Sequence, residues 1–280
     1  MVRSRGRAAT DRSVTHHICI ACGVQHAGEG TPSGCPVCKD DRQYVRWAGQ
    51  AWTTLEDLRR DHQNEIRDDL GLTGIGTTPS FAIGQRALLV RSPAGNLLWD
   101  CITLLDDPTI KAVQALGGIR AIAISHPHYY STMVEWGRAF DAPILLHAAD
   151  RRWVMRPDES IEFWDGETRT LWDGMTLIRG GGHFDGGTVA HVPAAADGRG
   201  ALLTGDILQV AQDRDWVSFM YSFPNYIPLS AAKVDHILAA VAPFDFDRIY
   251  GAWWERNVAS GAKAAVHRSA ERYKSHLGAG

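Results

Sequence analysis

The stretch Ile119-Arg120-Ala121-Ile122-Ala123-Ile124-Ser125-His126-Pro127-His128 restricts this chain more than any other. Alternating Ile and Ala read as a buried strand, and two histidines one residue apart at its end can aim two imidazoles at one place. Neutral imidazole is the commonest protein ligand for zinc, so a strand ending in this way can start a metal site. A fold that uses it must bring further ligands to the same strand end. Otherwise His126 and His128 are loop-tip histidines and no more.

Two later segments supply such ligands. Thr176–Arg179 reads as a strand and runs into Gly180-Gly181-Gly182-His183-Phe184-Asp185-Gly186-Gly187. A histidine among so many glycines sits where backbone crowds a ligand or metal. Gly200-Ala201-Leu202-Leu203-Thr204-Gly205-Asp206 is an apolar strand closed by a carboxylate, which is costly to bury unless it is paired or metal-bound. His126, His128, His183 and Asp206 thus all lie just past the C-terminal ends of predicted buried strands, and a metal site requires that convergence. His147 and His191 read as structural.

A second metal signature lies near the start. Of five cysteines, four fall as Cys19-x-x-Cys22 and, after twelve residues, Cys35-x-x-Cys38. Two tight knuckles of this kind present four thiolates tetrahedrally. Cys101 lies in an apolar strand and reads as an inert core thiol. The stretch resembles a zinc ribbon. With its Cys-Pro-x-Cys it is still more similar to the short rubredoxin-type domain at the end of rubrerythrins. Gly23 follows Cys22 as in rubredoxin knuckles, whereas Lys39 stands where a second such glycine belongs. That departure favours zinc and a structural role, with iron possible.

With 280 residues, 45% hydrophobic and 22% charged, the chain can bury a sizeable core. A net charge of −3 argues against a nucleic-acid partner. No apolar run reaches membrane-span length, and Met1–Arg12 is basic without the apolar segment of a secretion signal, so cytoplasmic residence is expected. The division expected is a disordered arm over 1–14, a four-cysteine module over 15–45, a connector with a helix over 46–78, and a main domain over 79–280. In the connector, Thr53-x-x-Glu56 reads as a capping box, and Leu55, Leu58, His62, Ile66 and Leu70 fall at helical spacing up to Gly71. From Phe81 onward strands and helices alternate. A hairpin turns at Ser92–Asn96, helices follow at 108–117 and 131–140, and a strand follows at 143–147. The class is α/β with mixed sheets.

In that order, the elements resemble the metallo-β-lactamase superfamily over about residues 75–280. The hairpin with Asn96-Leu97-Leu98-Trp99-Asp100 resembles its opening. Ser125-His126-Pro127-His128 resembles the start of its H-x-H-x-D-H motif, Gly182-His183 its third-histidine loop, and Thr204-Gly205-Asp206 its bridging-aspartate strand. The resemblance implies an αβ/βα sandwich with metal at one edge. It also implies a complete first site of His126, His128 and His183, with Asp206 as a fourth ligand. Tyr130, Ser131 and Ala252 stand where ligands of a second metal belong, so one metal is expected in this cleft.

Three imidazoles leave a position open on zinc, where a water can have its pKa lowered to about 7. That implies a hydrolase of a small ester, lactone, thioester or amide. Tyr130 takes the place of the family's motif aspartate; it and Tyr129 either donate to a developing oxyanion or simply pack. Asp206 and Asp185 are the carboxylates available for proton handling, Asp185 reading equally as a loop carboxylate. Tyr129, Arg214, Trp216, Tyr221, Tyr226 and Trp253 are candidates to wall a substrate pocket, with Arg214 for an anion. Two other readings stand beside this one. One is a non-haem iron redox enzyme served by the rubredoxin-like module, with iron at either site. The other is a non-catalytic binding relative. The partner expected is a small molecule, with a homodimer possible and no membrane or nucleic acid.

Overall fold

The computed structural model describes residues 15–28 and 30–278; the arm expected over 1–14 lies outside them. Two sheets face each other. The first has seven strands in sequence order: Gln63–Asp69, Leu72–Thr78, Ala87–Val90, Leu97–Trp99, Ala121–Ala123, Ile144–His147 and Ile161–Trp164. Its first four strands pair antiparallel, as short turns allow, and the remaining pairings are parallel, which requires the intervening crossovers. The second sheet runs Thr168–Thr170, Thr176–Arg179, Thr188–Val192, Ala201–Gly205, Arg248–Gly251 and Asn257–Val258.

Leu88, Leu97, Trp99 and Ala123 from the first sheet interdigitate with Leu177, Ala190, Leu203 and Tyr250 from the second. The helices Ala231–Val241 and Ala262–His276 cover the outer face of the second sheet. The outer face of the first carries Asp107–Ala115, Met133–Phe140 and the cysteine module, all in one apolar cluster. This is the α/β class expected, in four layers. The described residues contain no helix long and apolar enough to cross a membrane.

The connector departs from its expectation. Its helix is Leu55–Asp61, capped by Thr54 rather than Thr53: the Thr54 hydroxyl accepts from the Asp57 N–H. Residues 63–78 are then not helix or linker but a hairpin of the main sheet. Leu70 and Gly71 both have positive φ (50° and 92°), the geometry of a two-residue hairpin turn. The i, i+4 spacing of His62, Ile66 and Leu70 also satisfies alternation at Asn64 and Ile66, and strand pairing decides between the two periods. Gly74 and Gly76 leave room for the Trp254 indole to lie flat on this strand. A Cβ at Gly74 would enter that ring, so Gly74→Ala should destabilise by about 1–3 kcal/mol in a denaturant titration. An unchanged midpoint would mean that the indole is free to shift.

Candidate metal centre

The four predicted ligands converge. His126 is 1% exposed, His128 2%, His183 1% and Asp206 6%, and their ligand atoms lie within 4.8 Å of one another. His183 Nε2 is 3.4 Å from His128 Nδ1, and His126 Nε2 is 3.5 Å from Asp206 Oδ2. Ligands about 2.0–2.1 Å from a tetrahedral ion stand about 3.4 Å apart, so the cluster has the dimensions of a zinc-type site. His126 Nε2 and Asp206 Oδ1 are buried without a hydrogen-bond partner, which is costly unless an ion meets them.

Surrounding groups fix each ring. Asp100 ends its strand at φ 60°, and its carboxylate accepts the Ser125 N–H at 2.7 Å. The Ser125 hydroxyl meets His126 Nδ1 at 2.9 Å, leaving Nε2 facing the cluster. His183 Nδ1 donates to the Met220 carbonyl at 3.1 Å, which assigns its tautomer and frees Nε2. The Asp150 carboxylate accepts the Gly186 N–H at 3.0 Å and closes the glycine-rich loop from the other side. Burial holds the His183 pKa down at about 3 and lowers that of His128 strongly, so both rings are neutral and ready to ligate. Burial pushes Asp100 and Asp150 up to about 6.

Tyr129, not Tyr130, faces the ligands. Its ring is 4.3 Å from that of His126, and its buried hydroxyl has no hydrogen-bond partner. Burial, followed by the charges of Asp206 and Asp100, raises its pKa well above that of free tyrosine, so the phenol stays protonated. Tyr130 turns to the module and lines a small cavity with Val24, Met133 and Met155. Asp185 is exposed and lies outside the ligand group; only its main-chain carbonyl is engaged, by Arg179.

The expected pocket wall is dispersed. Arg214 donates through Nε and Nη1 to the carbonyls of Ala211, Gln212 and Glu255. Trp216 stacks under Arg272 of the last helix, at 3.4 Å. Tyr226 is 85% exposed. Trp253 packs on Tyr129 at 6.5 Å and donates to the Ile83 carbonyl, while Tyr221 lies 5.2 Å from the Arg42 guanidinium. Where the second-metal ligands were expected to be lost, Ser131 bonds Gln85 and the Cys101 carbonyl, and the Ala252 carbonyl accepts the Arg86 N–H.

The four cysteines are unpaired and buried. Cys19 and Cys38 sulfurs are 3.6 Å apart, and those of Cys22 and Cys35 are 3.7 Å apart. Thiolates about 2.3 Å from a tetrahedral ion stand about 3.8 Å apart, so these residues too fit a metal. Gln50 Nε2 donates to Cys19 Sγ at 3.1 Å, and Gln50 Oε1 accepts the Cys35 N–H. His26 stacks edge-on with Trp52 and is no ligand.

Asp100, Ser125, Asp150 and Arg42 complete the centre without having been singled out from sequence. Asp100 had a signal, a carboxylate at the end of a buried strand; Arg42 had none.

No family profile matches the chain. It is 52% identical over 262 residues to the uncharacterized protein YmaE of Bacillus subtilis, covering 92% of this chain and 95% of that one. The mono-zinc form of the metallo-β-lactamase FIM-1 from Pseudomonas aeruginosa superposes with a TM-score of 0.57 at 15% identity, over 75% of this chain and 96% of that one. VMB-1 gives 0.57 at 11% identity, over 77% and 99%. A B3 metallo-β-lactamase with an active-site glutamic acid gives 0.51 at 16%, over 80% and 92%. The neighbours share the two-sheet sandwich, and the strand ends of that sandwich carry the ligand cluster described above. The chain therefore belongs to the family of YmaE and has the metallo-β-lactamase fold, with a four-cysteine module packed onto it.

Proposed function

We propose that the protein is a mononuclear zinc-dependent hydrolase of a small ester, lactone, thioester or amide. The observation that carries this reading is the meeting of three imidazoles and one carboxylate, with His126 Nε2, His128 Nε2 and Asp206 Oδ1 buried without a hydrogen-bond partner. His126, His128 and His183 would hold the ion, with Asp206 beside its open position. When bound, it supplies a Lewis acid and a water acidified toward a pKa of about 7.

The rest of the chemistry belongs to side chains. Asp100, through Ser125, holds the His126 ring, and the Met220 carbonyl holds that of His183. Asp206, the most exposed of the four, brings the carboxylate that can hold a proton at the open side. Tyr129, still protonated and unpartnered beside Asp206, donates to the oxyanion that develops as a carbonyl is attacked. The depth of the ligands favours a small substrate.

Zinc-loaded protein should hydrolyse at least one of these four classes above the His126→Ala background. In Tyr129→Phe, kcat should fall by about 10²–10³ with zinc content unchanged. No turnover of any class above that background would sink the hydrolase reading.

A second reading keeps a specific support. The sulfur site shares one apolar cluster with Tyr129 and Phe184, which pack against the histidines, an arrangement that suits electron supply. Iron in both sites of the isolated protein, with a visible spectrum from the sulfur-bound ion, would favour oxygen-dependent chemistry instead.

A further inference from the structure

The cysteine module is tied to the histidine cluster by more than apolar contact. Arg42 lies four residues beyond Cys38 and is only 5% exposed. Asp40, at the end of the short helix Pro36–Lys39, clamps it through Nε and Nη2. The guanidinium lies 3.9 Å over the Phe184 ring, and Nη1 reaches the His183 carbonyl at 3.4 Å. A second tie runs beside it. Asn225 Nδ2 donates to the carbonyls of Asp41 and Gln43 at 2.8 and 2.9 Å. Asn225 sits in the turn that follows the short strand Met220–Ser222, whose Met220 carbonyl fixes the His183 ring.

His183 is therefore held on its main-chain side by Arg42, and on its ring side by a loop pinned to residues 41 and 43. Both holds start from the second cysteine knuckle. That knuckle is packed in the apolar cluster and bonded by Gln50, with the four cysteine sulfurs turned toward one another. Four thiols this close have no means of pairing with one another as thiolates, and an ion among them converts its binding energy into local folding energy. Groups that orient a ligand from behind typically change metal affinity about 10–100-fold when removed.

We propose that Arg42 and the Asp41–Gln43 segment make the sulfur knuckle a positioning element for His183, so that filling the four-cysteine site tightens metal binding at the histidine site. The coupling is reciprocal: an ion at the histidines also strengthens binding at the sulfurs. This rests on reading the histidine cluster as a metal site, and not on hydrolysis.

The test uses the full chain with zinc as probe and a graded chelator as competitor. Sulfur-bound zinc is followed separately by protection of the thiols from alkylation. In Arg42→Met the histidine-site affinity should fall about 10–100-fold, with the cysteines still protected. Arg152→Met serves as the control. That arginine stacks on Trp153 at 4.9 Å, and its loss should leave both sites at wild-type affinity. Equal histidine-site affinities in Arg42→Met and Arg152→Met would overturn the proposal. Should Arg42→Met not fold, Asn225→Ala removes the other tie and should weaken the same site, and wild-type affinity there overturns the proposal equally. In the wild type, capping the four thiols with a mercurial should loosen the histidine-bound zinc; retention at unchanged affinity also counts against it. Normal coupling without any turnover would refute the hydrolase alone. A wild type that never fills the histidine site would remove the ground for both.

Discussion

His126→Ala protein should carry about one zinc per chain where the wild type carries about two, measured by elemental analysis after dialysis. The substitution removes a ring whose Nε2, like that of His128, is buried and unpartnered, and with it the contact to Asp206 across the cluster. Two of the three imidazoles remain to hold the ion, fewer than the three protein ligands of a catalytic zinc site. The ion that stays is the sulfur-bound one. Three ions in the wild type would mean that a second ion binds beside the histidines despite Tyr130, Ser131 and Ala252. One ion in both proteins would mean that the histidine cluster does not bind zinc.

The second large effect concerns stability. Arg86 is buried on the central strand Ala87–Val90's approach and is met by Asp69, the Gly251 carbonyl and Asn257. Asp69 is also bonded by Asn257 at 2.6 Å. Asp69→Ala leaves a guanidinium buried against neutral partners only, and breaking a buried pair from one side costs about 3–5 kcal/mol. For a domain with about 5–15 kcal/mol in total, much of the folding free energy is lost, and the denaturation midpoint should drop accordingly. Asp69 pairs across the Gln63–Asp69 and Leu72–Thr78 hairpin, so this variant also weighs the part of the sheet read from sequence as a helix. A midpoint within the error of the wild type would show that the neutral partners suffice for Arg86.

The candidate ligand cluster was legible because each of its members follows a strand with a plain apolar pattern. Ile119–Ile124 and Ala201–Gly205 are buried throughout or nearly so, and a polar side chain at such an end has few explanations. The neighbouring tyrosines were harder to read. Pro127–Tyr129 is a single 3-10 turn, and its phase decides that Tyr129 meets His126 while Tyr130 meets the module. Sequence spacing does not contain that phase. Arg214 looked like a free cation because the main-chain carbonyls that absorb it are visible only once its loop is folded. Arg42 was invisible for the same reason on a larger scale: its acceptor, the His183 carbonyl, lies 141 residues away. The helix expected through Leu70 failed because a spacing of four fits both periods, and the partner strand decides.

The depth of the histidine cluster also bears on timing. Ligands exposed by 6% or less, beneath a module packed into the same core, do not release an ion by turning a side chain. Exchange has to wait for a local opening of the packing, and such openings in a core are rare. An ion held there would exchange slowly, and metal availability while the chain closes would weigh beside equilibrium preference among the divalent metals. The metal found in protein purified from a cell would then carry a record of the conditions of its synthesis.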